Sequence, residues 1–183
     1  MRIALRLIVL SFAVEAGCHR SASMLGRAGT PDLDDGNIVA IVLAANNTDL
    51  SYARLVSGRA SSAEVKAFAA RMTVDHTLLS ARAADIALRN GISAEDNGIS
   101  LDFRDRSAAR RDVLRELTGA RFDSAYVENE IRYHTELLAA LDGVLIPRAH
   151  NAALKRFVVT LRPAVSAHLA HAEQVRATLA ARK

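Results

Sequence analysis

The chain has 183 residues, half of them hydrophobic, and a formal net charge of +4. Aromatic residues make up only 4% and Trp is absent, so the composition favours helices over a strand-rich sandwich. A single cysteine excludes a disulfide framework and any multi-cysteine metal site. The basic residues are interleaved with acidic ones and form no run of five, so we expect no nucleic-acid partner.

The first eighteen residues are typical of a secretory signal peptide. A positive end at residues 2–6 is followed by an apolar run at residues 7–14, and Ala16 and Gly17 precede Cys18. This run is much shorter than the roughly 20 residues that a membrane-spanning helix needs. We therefore predict that residues 1–18 are an export signal.

Cys18 follows two small residues and is similar to the cysteine of a bacterial lipobox, which is lipidated after cleavage. Glu15 departs from that pattern, because lipoboxes carry Leu or another apolar residue there. Cleavage after Ala16 is the alternative. The protein is thus expected in the outer membrane, anchored by a lipid on Cys18, or in the periplasm. Residues 19–36 mix Ser, Gly, Pro and Asp without a period and predict a flexible tether.

Over residues 37–183 the apolar positions recur at helical spacing, which predicts one all-α domain. Four long stretches each carry a seam of alternating three- and four-residue steps, as in a four-helix bundle. The seams are Ile38, Val42, Ala45, Asp49, Tyr52 and Val56; Ala69, Met72, His76, Leu79, Ala83 and Ile86; Val127, Ile131, His134, Leu138, Leu141 and Leu145; and Leu154, Val158, Leu161, Val165, His168, Ala172, Val175 and Leu179.

Local signals predict where the first two helices end and begin. Gly58 breaks the first stretch. Ser61, with Glu64 three residues later, is typical of a capping box at the start of the second helix. Asn90 and Gly91 predict its end.

The second half of the chain has weaker boundaries. Residues 91–106 are expected to form a polar connection, and residues 107–117 a short helix. Pro147 lies near the end of the third long stretch. Pro163 lies inside the fourth, where we expect it to kink or locally open the helix.

An ionisable residue interrupts each seam, and two more lie beside these four. The set is Asp49, Asp75, His76, Glu130, His134 and His168. An unpaired ionisable group in a helical core is costly, so these residues should pair with one another or bind an ion. Imidazole and carboxylate ligands suit one transition-metal ion such as Zn, Fe or Cu, and helical bundles build such sites in their cores. A hydrogen-bonded polar layer without metal is the alternative.

Four short motifs occur in a fixed order along residues 36–179. They are Asn47; Lys66, Phe68, Met72, Asp75 and His76; Phe122, Asp123, Tyr126 and His134; and Pro163, His168 and Leu169. Together they resemble the bacterial domain of unknown function 4142 family, whose members are often labelled exported or outer-membrane proteins. The resemblance implies a ferritin-like four-helix bundle and no particular activity. Asp49 stands where the family's Glu is expected, and its side chain is one methylene shorter.

Three functions follow as hypotheses: a metal-binding bundle of the cell envelope, a structural or interaction module of the outer membrane, and a di-iron oxidoreductase. A di-iron bundle needs Glu-x-x-His on two helices, whereas Glu130 and His134 are four residues apart. The sequence has no Gly-x-Ser-x-Gly, and Cys18 lies too close to the predicted cleavage site to act as a nucleophile. We therefore expect a binding protein rather than an enzyme, and the sequence identifies no protein partner.

Export predicts that residues 1–17 are absent from the mature protein, which mass spectrometry of protein from its native host can measure. Detection of an intact Met1 would contradict export.

If Cys18 carries a lipid, Cys18→Ser should move the protein from the membrane fraction to the soluble fraction. Unchanged fractionation would indicate a plain periplasmic protein.

Overall fold

The computed structural model describes residues 32–181, which are mostly helical and contain no strand. Their five main helices are α1 (Asp35–Arg59), α2 (Ala63–Arg89), α3 (Gly98–Arg115), α4 (Gly119–Ala140) and α5 (Ala152–Ala180). A π-helical turn at Leu141–Leu145 and a helical turn at Ile146–Arg148 follow α4. The predicted all-α class is confirmed.

The predicted export signal and Cys18 lie outside the described residues, as does most of the predicted tether. The tether's last two residues are helical, because Asp34 caps α1 and forms a capping box with Asn37. The described helices include none that is long and apolar enough to cross a membrane.

The start of α2 is shifted by one residue from the prediction. Ser62, and not Ser61, is the N-cap, and its hydroxyl accepts hydrogen bonds from the backbone N–H groups of Glu64 and Val65. The predicted capping box between Ser61 and Glu64 is wrong, although the helix predicted to follow it is present. Ser61 instead donates to Asp123 on α4.

Helix α3 begins nine residues earlier than predicted, so the expected polar connection over residues 91–106 is wrong for its second half. Asn97 caps the helix by accepting hydrogen bonds from the N–H groups of Ile99 and Ser100. The buried positions of α3 are Ser100, Phe103, Ser107 and Leu114. Serine takes two of these four positions, so the sequence shows little apolar periodicity there.

Helix α5 continues through Pro163 without a break, so the predicted local opening is wrong. Proline cannot donate to the carbonyl of residue 159, and this normally disrupts a helix. Pro163 and Val159 both lie on the exposed side of α5, where water can solvate the unpaired carbonyl.

Helix α1 lies at the centre of the packing, in contact with α2, α3 and α4, and α5 packs against α2 and α4. Residues 38–42 of α1 are all buried, on every side of the helix. The four long helices α1, α2, α4 and α5 thereby each turn an ionisable seam residue toward the interior. These residues are Asp49, His76, His134 and His168.

Asp123, near the start of α4, forms hydrogen bonds with the connection between α1 and α2. Its buried carboxylate accepts hydrogen bonds from the backbone N–H of Ser61 at 3.2 Å, from that of Ser62 at 2.9 Å, and from the Ser61 hydroxyl. Because these donors are partly buried, they would lose a charged partner if the carboxylate were removed.

We predict that Asp123→Ala lowers the free energy of unfolding by about 3 kcal/mol, because partly buried donors are left without an acceptor. Urea denaturation followed by circular dichroism measures this. Asp112→Ala is the control, since Asp112 pairs with Arg115 on the surface of α3 and should leave stability almost unchanged. Equal losses in the two variants would contradict the role given to Asp123.

Candidate metal centre

Three histidines from three helices lie together in the interior. The ring centroids are 5.2 Å apart for His76 and His168, 5.4 Å for His134 and His168, and 5.9 Å for His76 and His134. One ring nitrogen from each lies within 4.8 Å of the other two. All three side chains are buried, so their ring nitrogens depend on protein groups, or on an ion, for partners.

Asn46 on α1 fixes the orientation and tautomer of His76. The Asn46 amide nitrogen donates to the Val42 carbonyl at 2.8 Å, so its amide oxygen faces His76 Nδ1, also at 2.8 Å. Since that oxygen only accepts hydrogen bonds, Nδ1 carries the proton. His76 Nε2 is left with its lone pair, buried and without a hydrogen bond.

The other two histidines follow the same arrangement. His134 Nδ1 donates to the backbone carbonyl of Glu130 at 2.9 Å, and its Nε2 has no hydrogen bond. His168 Nε2 donates to Asp75 Oδ2 at 3.0 Å, and its Nδ1 has no hydrogen bond. Metal-binding histidines typically use one nitrogen for the ion and the other for such an outer contact.

Asp49 brings a carboxylate from α1 to two of these free nitrogens. Its Oδ2 lies 3.3 Å from His76 Nε2 and 3.5 Å from His134 Nε2, and neither of its oxygens forms a hydrogen bond. Ligand atoms bound tetrahedrally at about 2.0–2.1 Å from an ion are about 3.3–3.4 Å apart. The two distances therefore fit ligands of one ion.

Glu130 adds a second carboxylate beside the first. It is fully buried, neither of its oxygens forms a hydrogen bond, and its Oε2 lies 3.6 Å from His134 Nδ1. A carboxylate oxygen from each of Asp49 and Glu130 and one nitrogen of His134 lie within 4.8 Å of one another. His134 thus belongs to both groups of candidate ligands, the three-histidine group and this one.

Burial sets the charge states of the site. It lowers the pKa of His76 well below its ordinary value and that of His134 to about 4. It also lowers the pKa of His168, although Asp75 opposes the change. The three imidazoles are therefore neutral near pH 7, which is the form that binds metal ions.

The two carboxyl groups shift in the opposite direction. Burial raises the pKa of Asp49 to about 7. Burial and the negative charge of Asp49 together raise the pKa of Glu130 well above its ordinary value. Each shift reflects the cost of a negative charge in an apolar interior, and a bound cation would reduce that cost.

Five of the six predicted site residues converge in the interior, and Asp75 lies outside them. The Asp75 side chain is 20% exposed and contacts His168 Nε2, whereas His168 Nδ1 is buried and has no hydrogen bond. It therefore orients His168 without joining either group of candidate ligands. Asn46 was not predicted as a site residue. Its only sequence signal is that it lies three residues before Asp49, on the same face of the predicted helix.

A shallow surface cleft of about 600 Å³ is lined by residues of α4 and the segment before it. These residues are Leu117, Ala120, Arg121, Ser124, Ala125 and Glu128. They include none of the candidate ligands, so this cleft gives a substrate no access to the interior site.

A family model described as Domain of unknown function (DUF4142) matches residues 21–175, a range that includes all six predicted site residues. Neither the curated proteins nor the solved structures yield a match to this chain.

We predict defined tautomers for the metal-free protein at pH 7. His76 and His134 should be protonated at Nδ1 and His168 at Nε2, because these atoms face oxygen acceptors. Long-range ¹H–¹⁵N spectra of the imidazoles measure this, with the exposed His150 as a reference for a solvated ring. A proton on His76 Nε2 would contradict the assignment.

Proposed function

This chain belongs to the DUF4142 family, and we propose that it holds one transition-metal ion in the interior of a ferritin-like four-helix bundle. The ligands are His76, His134, His168 and Asp49, with Glu130 as a second carboxylate beside them. One observation carries the proposal. A ring nitrogen from each of three buried histidines lies within 4.8 Å of the other two, a buried Asp49 oxygen lies 3.3 Å and 3.5 Å from two of these histidines, and one nitrogen of every imidazole and both Asp49 oxygens lack a hydrogen bond.

A polar layer without metal explains this arrangement less well. Buried polar groups in native proteins nearly always have hydrogen-bond partners, and each exception calls for an explanation. Here each imidazole has one hydrogen-bonded nitrogen, called the outer one: Nδ1 in His76 and His134, and Nε2 in His168. The other, inner nitrogen of each has no hydrogen bond. Outer pairing orients a ligand for an ion, whereas a structural layer would pair the inner atoms with one another.

The geometry favours one ion over the two of a di-iron centre. The two groups of candidate ligands share His134, and the Nδ1 of that residue already donates to a backbone carbonyl. A single nitrogen is left, which serves one ion. A donor set of three imidazoles and one carboxylate also suits Zn or Cu better than the oxygen-preferring Mg or Mn.

The site suits the holding of an ion rather than catalysis on an organic substrate. His168 is the most exposed ligand residue, at 6%, and the surface cleft lies elsewhere. We infer a metal-binding protein of the cell envelope. The proposal includes export directed by residues 1–18. The mature protein would then lie in the periplasm, or in the outer membrane through a lipid on Cys18.

Metal binding is tested by elemental analysis and thermal unfolding, before and after mild chelation. We expect one ion per chain and a melting temperature about 5–10 °C higher at a metal concentration 100 times Kd. His168→Leu should lower the affinity at least about 100-fold and abolish the shift. His150→Gln removes an exposed histidine as the matched control and should leave the shift intact.

Two results would contradict the proposal. One is the absence of bound metal, with no change in melting temperature on addition of zinc, iron or copper. The other is an equal shift in wild type and His168→Leu. Either would leave a structural polar layer as the function of these residues, in which case His168→Leu should be neutral or stabilising.

A further inference from the structure

The candidate ligands differ in how near they lie to solvent. The side chains of Asp49, Glu130 and His134 are 0% exposed and that of His76 is 2% exposed. The His168 side chain is 8% exposed, and that of its partner Asp75 is 20% exposed. The ligand set therefore approaches the surface at His168.

The opposite side of the site is closed by aromatic rings. Tyr133 contacts His134 with ring centroids 5.7 Å apart and packs against Tyr52 at the same centroid distance. Burial, together with the nearby Glu130 carboxyl group, raises the pKa of Tyr126 well above its ordinary value. All three tyrosines are at most 1% exposed, so an ion has no short path to water on this side.

On the open side, Arg71, Asp75 and His168 form a chain of contacts from solvent inward. Asp75 Oδ2 accepts a hydrogen bond from His168 Nε2 at 3.0 Å and also from Arg71 Nε. The Arg71 side chain is 66% exposed. One carboxylate oxygen thus joins His168, the most exposed of the candidate ligands, to the Arg71 guanidinium on the surface.

Building on the proposed function, we propose that Asp75 is the first contact of an incoming transition-metal ion and that Arg71 gates its passage to His168. A carboxylate is a natural first ligand for a divalent cation. The Arg71 guanidinium occupies the same oxygen and repels the ion, so it must move aside before the ion can bind. An exposed ion pair of this kind is weak, so Arg71 can leave at little cost.

This gate controls the rates of loading and release more than the affinity at equilibrium. Arg71 contacts neither an inner nitrogen of the histidines nor the Asp49 carboxylate. Its removal therefore lowers the barrier for entering and leaving ions alike. Asp75 affects both the rates and the affinity at equilibrium, because it also orients His168.

The test compares loading and release of cobalt(II) in the metal-free full chain, followed by stopped-flow absorbance. Arg71→Gln should load and release the ion about tenfold faster, with Kd within about threefold of wild type. Arg89→Gln is the matched control, because Arg89 forms an equally spaced exposed ion pair with Asp85 on the same helix. Its rates should equal those of wild type.

A second variant tests the carboxylate itself. Asp75→Asn should load more slowly and bind about 10–100-fold more weakly, since His168 loses its charged partner. If Arg71→Gln loads and releases cobalt at the same rates as wild type and the Arg89→Gln control, the gate is overturned while metal binding stands. If equilibrium dialysis detects no cobalt on the wild type, the metal site itself fails and the gate with it.

Discussion

The burial of the Asp49 carboxylate beside the imidazoles of His76 and His134 is the constraint on which the rest of the structure depends. A carboxylate without hydrogen bonds in an apolar interior costs several kcal/mol unless it is neutralised or paired with a cation. Helix α1 cannot turn this residue toward water, because α2, α3 and α4 surround it. The fold therefore requires a positive partner for Asp49, in the form of protons or a metal ion.

The contacts around the site are the basis for proposing a metal ion there. Asn46, the Glu130 carbonyl and Asp75 each engage the outer nitrogen of one histidine. These three acceptors come from different helices. Each pairing leaves the second ring nitrogen of the histidine buried and without a hydrogen bond.

The sequence predicts the long helices and the site because both depend on spacing. One ionisable residue at a seam position of each long helix is enough to bring Asp49, His76, His134 and His168 together. It does not predict the first nine residues of α3, where Ser100 takes a buried position, nor the one-residue shift of the cap to Ser62. Both features depend on individual hydrogen bonds: the local ones of Asn97 at the start of α3, and the one between Ser61 and the distant Asp123 before α2.

The length of the acidic side chain on α1 illustrates the same limit. The family resemblance places a Glu at the position of Asp49, whose side chain is one methylene shorter, and this difference raises the question whether Asp49 reaches a shared ion. In the fold, the carboxylate lies 3.3 Å from His76 Nε2 and 3.5 Å from His134 Nε2. The central position of α1 brings its backbone close to α2 and α4, so a short side chain reaches both histidines. A longer one would have to fold back or displace Glu130, because the interior is close-packed. The shorter acid is therefore compatible with the site, and Glu130 supplies a longer carboxylate from the opposite helix.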